Sequence, residues 1–244
     1  MTNIIVGTLF DKRLVEHHLS VMASGQISLR YPFLVILVLV ISAAADPDPL
    51  QDFCVGILKQ SETQDINLNG LPCKDIREVT VDDFVYEGIR TVGNLSATNT
   101  GFASTSVSVA QFPGLNTLGM SALRADFEEG AVNVPHLHPR ATEMVYVVEG
   151  RLYCGFITSE NKLYAKVIHK GDVMVFPRGL VHFQMNVGHG PAVLLGSFNS
   201  ENPGSLKLPF TLFGSGIEDH LLQKAFYLSK KEVKSLKSKF GPKA

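Results

Sequence analysis

From residue 118 onward, apolar residues recur in short runs separated by turn residues. The runs are Gly119–Phe127, Glu143–Val148, Leu152–Ile157, Leu163–Ile168, Val173–Phe176, Val181–Met185 and Ala192–Phe198. The breaks between them fall at Glu129-Gly130, Glu149-Gly150, Lys170-Gly171, Arg178-Gly179 and Gly188-His189-Gly190. Strands this short and this evenly spaced predict an antiparallel sandwich or barrel, an all-β core. The glycines suit turns that need a positive φ, and Pro177 suits a rigid strand boundary. Upstream, residues 76–105 hold shorter strand candidates, Thr80-Val81 and Phe84-Val85-Tyr86, between loops rich in Ser, Thr and Asn. At the end of the chain the period changes. Ile217, Leu221, Ala225 and Leu228 recur at helical spacing. Ser229-Lys-Lys-Glu232 reads as a capping box opening a second amphipathic helix, with Val233, Leu236 and Phe240 on one face. Gly241 can stop that helix, and Lys234, Lys237 and Lys239 suit its C-terminal half. Two short helices cannot bury their stripes on each other alone. They either fold back on the barrel or clasp a neighbouring subunit. There is no internal repeat to suggest a second barrel.

The first part of the chain is different in kind. Residues 33–45 form an apolar run ending in Ala43-x-Ala45, with Arg30 before it. This is the pattern of a secretory signal peptide, and the run is too short for a membrane span of roughly 20 residues. Residues 1–30 are long and polar for the leading part of such a signal. Met22 offers a second start, which gives a signal of residues 22–45. Composition adds little beyond this: 244 residues, a net charge of −1, 45% hydrophobic residues and no Trp. No basic excess argues for a nucleic-acid partner. Secretion gives the three cysteines a context, because an oxidising compartment favours one bridge with one thiol left over. Cys154 alternates with Leu152 and Phe156 and reads as a small buried apolar residue. Asn94-Leu-Ser96 is a glycosylation acceptor in a secreted chain.

Candidate chemistry concentrates between Gly130 and Asn186. Gly130 is followed after five residues by His136-Leu137-His138, after four more by Glu143, and after six more by Gly150. Gly171 is followed after five residues by Pro177-Arg178-Gly179, after two more by His182, and after three more by Asn186. His136 and His138 share a strand face at i and i+2. Glu143 opens the next strand, and His182 lies in a later one. Three imidazoles and one carboxylate on inward faces make a metal site in the mouth of a small barrel. An octahedral Mn(II) or Fe(II) ion with two open positions fits this set best, and Zn, Ni or Cu can also bind. Gln184 and Asn186 alternate with His182, and Asn133 precedes His136 by three residues. All three are candidates for hydrogen bonds to the ligands or to a substrate. His169, His189 and His220 match no ligand position and are expected at turns or on the surface.

The two spaced sets resemble the two signature motifs of the cupins at every defining position. The surrounding residues are similar to those of plant germins and germin-like proteins. They include Gly114-Leu-Asn-Thr-Leu-Gly119, Pro135-His-Leu-His-Pro-Arg-Ala-Thr-Glu143, Phe176-Pro-Arg-Gly-Leu-Val-His-Phe-Gln184, Asn186-Val-Gly-His-Gly190 and Asp46-Pro-Asp-Pro-Leu-Gln-Asp-Phe-Cys54. The resemblance implies a single jelly-roll barrel over residues 81–210. It follows a signal region at 1–45 and an arm at 46–80, and precedes helices at 211–244 that interlock in trimers or hexamers. It implies a bridge between Cys54 and Cys73, whose closure is worth ~3 kcal/mol in the chain-entropy model. It selects manganese as the metal, held by His136, His138, Glu143 and His182. It implies secretion to the apoplast or cell wall, a role in defence or stress, and a superoxide dismutase-type activity on a small anion. A metal-containing wall or receptor-like protein without turnover is the alternative. Oxalate-oxidising germins carry two substrate-holding asparagines. One corresponds to Asn133, and the other falls at Leu123, which offers no donor. Ser121 is the neighbour that can replace it.

Overall fold

The computed structural model describes residues 51–58 and 70–242, so the signal-peptide region and Met22 lie outside the described residues. The unit that begins at Phe53 holds all the strands and helices described below.

Ten strands follow one another: β1 (Phe102–Val107), β2 (Ser121–Phe127), β3 (Val132–Leu137), β4 (Glu143–Glu149), β5 (Arg151–Ile157), β6 (Leu163–His169), β7 (Val173–Phe176), β8 (Val181–Asn186), β9 (Ala192–Phe198) and β10 (Leu206–Lys207). They form two five-stranded sheets, ordered β1-β2-β9-β4-β7 and β10-β3-β8-β5-β6. Every pair of neighbouring strands is antiparallel, which gives the jelly-roll arrangement. From β4 to β9 the strands begin and end within a residue of the apolar runs, because each run is bounded by a turn. Gly150 shows why one of these turns needs glycine. Its φ is 83°, and a Cβ there would lie 2.5 Å from that of Ala192.

The core lies between the sheets. Phe127, Val145, Val147, Leu152, Phe176 and Leu194 are buried at its centre. In β4 alternate residues point inward, so Glu143, Val145 and Val147 are buried while Met144 and Tyr146 are exposed. Cys154 is buried among the core residues. Burial pushes its thiol up to about 12, aided by the Glu143 charge, so it is an inert packing group.

Three elements differ from the pattern reading. Thr80-Val81 and Phe84-Val85-Tyr86 are not strands. Val81–Phe84 is a 3-10 turn capped by Thr80 and Asp83, whose carboxylate accepts from the Thr80 amide at 2.8 Å. The cap satisfies the backbone locally, so no ladder forms. β1 is an additional strand whose exposed positions carry Ser and Thr. A short helix, α1 (Leu208–Phe213), precedes the two expected ones, with Pro209 in its first turn. The expected helices are α2 (Asp219–Phe226) and α3 (Lys230–Phe240). The Ser229–Glu232 capping box is formed at the start of α3.

The arm is pinned twice. Cys54 and Cys73 are joined by a disulfide. Asn116, fully buried, accepts from the Leu71 amide and donates to the Leu71 carbonyl, both at 2.9 Å. Asn116 lies in the Gly114–Gly119 stretch, where its tethering role could not be read from spacing. Among the described residues no helix is long and apolar enough to cross a membrane.

Candidate metal centre

Both sheets contribute to one polar cluster at the end of the core. His136 of β3 and His182 of β8 are direct partners across the ladder of one sheet. Glu143, the first residue of β4, comes from the other sheet, where it faces Phe176 of β7 and Phe198 of β9. His138 lies one residue past the end of β3, on the connection to β4 rather than on a strand. A register shift in β3 between Asn133 and His136, around Pro135, separates the pairing of these two residues. All four side chains are buried, and one ligating atom from each lies within 4.8 Å of the others.

Each imidazole is oriented through Nδ1. His136 Nδ1 lies 2.9 Å from the Val134 carbonyl, His182 Nδ1 2.9 Å from the Leu180 carbonyl, and His138 Nδ1 2.5 Å from the Gly204 carbonyl. A carbonyl only accepts, so each Nδ1 carries the proton and each neutral ring turns an Nε2 lone pair to the centre. His182 Nε2 then faces Glu143 Oε2 at 3.1 Å, and His138 Nε2 faces the same oxygen at 3.4 Å. Acceptor against acceptor is unfavourable unless a proton or a cation lies between them. His138 Nε2 is buried and makes no hydrogen bond. An unpartnered lone pair among buried acceptors is what a coordinated cation satisfies, so the residues fit a metal ion.

The electrostatics agree. Burial, reinforced by the neighbouring His182, pushes His136 down to about 3, so this ring is neutral at physiological pH. Burial by itself would raise Glu143. A proton or positive charge at the His138 and His182 Nε2 atoms, the place a cation would fill, outweighs it and holds the carboxyl at about 2, ionised. Three imidazoles and one carboxylate form a set for a divalent first-row ion. Phe176 stacks on the His182 ring at 4.5 Å, and Phe198 meets the His138 ring edge-on at 4.7 Å. These rings cover part of the cluster.

A cavity of about 330 Å³ opens on His136 and His138, and Leu123, Asn133 and Phe198 share its wall. Asn133 Nδ2 donates to Gln184 Oε1 at 2.7 Å, so these two candidates form a buried pair. Asn186 is placed differently. Its amide donates to the Glu128 and Gly190 carbonyls and accepts from the Gly188 amide, so it closes a turn and has no donor left for a substrate. The Ser121 hydroxyl donates to the Ser200 carbonyl at 2.6 Å and does not replace the donor absent at Leu123. Gly196 is a site residue that the pattern reading passed over. A Cβ there would lie 2.7 Å from Glu143 Oε1 and 3.1 Å from Leu123 Cγ, so its bareness makes room for both. A glycine inside an apolar strand was the available signal. His169, His189 and His220 lie on the surface, each beside a single carboxylate.

A two-sheet jelly roll holding a buried three-histidine, one-glutamate cluster defines a cupin, and the chain matches the cupin family over residues 87–234. It is 53% identical over 200 residues to germin-like protein subfamily 3 member 2 of Arabidopsis thaliana, covering 82% of this chain and 87% of that one. It is 49% identical to germin-like protein 2-4 of Oryza sativa subsp. japonica, covering 86% and 92%. Among solved structures it is similar to an oxalate oxidase in complex with the substrate analogue glycolate. The TM-score is 0.74 at 46% identity, covering 80% of this chain and 98% of that one. The chain belongs to the cupin family and, within it, to the germin-like proteins.

Proposed function

We propose that this chain is a secreted manganese protein of the apoplast with superoxide dismutase-type activity. The observation that carries the reading is the unpartnered His138 Nε2, buried beside Glu143 at the end of an accessible cavity. His136, His138, Glu143 and His182 would hold the ion. Bound manganese supplies a one-electron couple, by which two superoxide anions and two protons become dioxygen and hydrogen peroxide. The chain's own residues do the rest. Glu143 lowers the net charge of the site and favours the higher oxidation state. The three Nδ1–H bonds hold the rings in the ligating tautomer. Phe176 and Phe198 cover part of the cluster.

The oxalate oxidase relative raises a second reading. Two features of the cavity weigh against it. Leu123 presents carbon to the cavity, and Ser121 is engaged by Ser200. Oxalate is a dianion whose desolvation must be offset by donors, and each missing donor costs roughly 1.5–3 kcal/mol. Superoxide is a smaller monoanion that needs little besides the metal.

The test is a dismutase assay on metal-quantified protein, with His138→Ala as control. Activity that scales with manganese and disappears in the variant supports the reading. Full metal without turnover favours a non-catalytic wall or receptor-like protein. Hydrogen peroxide release from oxalate is measured alongside, with Leu123→Asn expected to exceed the negligible wild-type rate. We further propose trimeric or hexameric assembly through the C-terminal helices, and glycosylation at the exposed Asn94.

A further inference from the structure

The three histidines of the cluster are not oriented in the same way. The carbonyls that receive the His136 and His182 Nδ1 protons belong to Val134 and Leu180, each two residues back. These acceptors travel with their rings, so both tautomers are local properties of the chain. The acceptor of His138 is Gly204, 66 residues further along. It sits on the connection between β9 and β10, which has no ladder of its own at that point.

That connection is fastened at several places. The Thr142 amide donates to Asn199 Oδ1 at 2.8 Å, Ser121 Oγ to the Ser200 carbonyl, and the Gly119 amide to Glu201 Oε1 at 3.0 Å. All of these hold its first half. The second half, next to Gly204, is gripped by Arg140. Its Nε donates to the Asn202 carbonyl at 2.6 Å, its Nη2 to Asn202 Oδ1 at 2.8 Å, and its backbone amide to the Pro203 carbonyl at 3.2 Å. Gly204 is enclosed beneath this grip. Its φ is +67°, and a Cβ there would lie 2.9 Å from Arg140 Nη2 and 3.2 Å from Pro139 Cγ. Asn202, Pro203 and Gly204 also line the cavity that opens on His136 and His138. One segment therefore forms a wall of the cavity and orients one of the rings.

We propose that Arg140 is a positioning residue for the metal centre: it straps residues 202–204 in place so that the Gly204 carbonyl holds His138 in the ligating tautomer. The proposal rests on the metal-binding reading above. Arg140 itself is exposed and touches neither the ring nor the space for an ion. It acts only through the strap. A planar guanidinium with two parallel donors can fix both the carbonyl and the side chain of Asn202, which a single ammonium cannot. The effect is confined to His138, because the other two rings take their orientation from their own strands.

The test begins on metal-free protein. Long-range ¹H–¹⁵N correlation spectra of the histidine rings report which nitrogen carries the proton. In the wild type, His136, His138 and His182 are expected to be protonated at Nδ1. In Arg140→Ala, His138 alone is expected to become a mixture of tautomers. Manganese affinity, measured by chelator competition, is expected to fall about 10- to 100-fold, the usual cost of losing a group that orients a ligand. Arg140→Lys, which keeps the charge on a single donor nitrogen, is expected to recover part of both. If Arg140→Ala fails to fold, Asn202→Ala replaces it. That variant removes one arm of the grip and leaves the backbone, and a smaller change specific to His138 is expected. An unchanged His138 tautomer in the folded variant overturns the proposal. So does an equal disturbance of all three rings, which marks general loosening. If the wild type takes up no manganese, the metal reading fails, and the spectra of metal-free protein still decide the role of Arg140.

Discussion

The barrel and the C-terminal helices bury their apolar residues to very different extents. Inside the barrel, Phe127, Val145, Val147 and Leu152 are almost completely removed from water. In the helices only Leu222 and Val233 reach that state, while Phe210, Leu221 and Phe226 stay substantially exposed and Tyr227 is 96% exposed. The aromatic rings there, Phe210, Phe213, Phe226 and Phe240, pack mainly on one another. The barrel completes its core from its own strands, and the cluster within it from those strands and the connections between them. Of the three helices only α3 has a side-chain N-cap, and together they leave apolar surface that a single chain does not cover. The outer face of β4 and β7 is similar, with Met144, Tyr146, Val173 and Val175 exposed.

The largest expected effect comes from breaking the barrel side. Phe127→Ala should cost about 3–5 kcal/mol in urea unfolding, because a buried ring leaves a cavity. Phe226→Ala should cost far less in a dilute monomer. If the two losses match, and the Phe226 loss depends on protein concentration, the helices bury that ring against another copy.

Next comes the cluster. His182→Ala should keep the fold and the helices, yet lower metal content by at least ~10- to 100-fold. Circular dichroism and metal analysis of the same sample check both. A folded variant with full manganese occupancy would contradict the ligand assignment.

Removing residues 217–244 tests the helices directly. The truncated chain should show a smaller mass by light scattering, or aggregate, since an apolar face is bared. Its barrel should still take up metal. An unchanged mass and melting curve would mean that the helices only cover their own barrel.

The smallest effect concerns the start of α3. The Ser229 hydroxyl and amide hold the Glu232 carboxyl below its usual range. A lowered folded-state pKa stabilises the cap above the unfolded value near 4.5 and loses that contribution as pH falls below it. Amide protection factors in the first turn of α3, which discount the intrinsic slowing of exchange in acid, should therefore fall on acidification, and Glu232→Gln should remove that pH dependence.

The limits of pattern reading are visible in particular residues. The strands from β4 to β9 were legible because a turn residue closes each apolar run. β1 was not, because Ser104 and Thr105 dilute its pattern. Val81–Phe84 misled because a side-chain cap, not a ladder, satisfies its backbone. In β4, Met144 and Tyr146 are as apolar as Val145 and Val147, so hydropathy alone does not distinguish the inner face from the outer.

By itself the sequence determined the strand spacing, the α3 cap and the four residues of the cluster. The first two follow from local rules, period two along a strand and reciprocal hydrogen bonds over one helical turn, and the cluster from the spacing of three histidines and one glutamate, although His138 lies just past its strand. Only the tertiary structure decided what supports them. The bare backbone at Gly196 behind Glu143, the Asn116 tether on Leu71, and the Gly204 carbonyl that orients His138 under Arg140 join positions far apart in the chain. Such contacts depend on where the chain returns in space, and no local period encodes that.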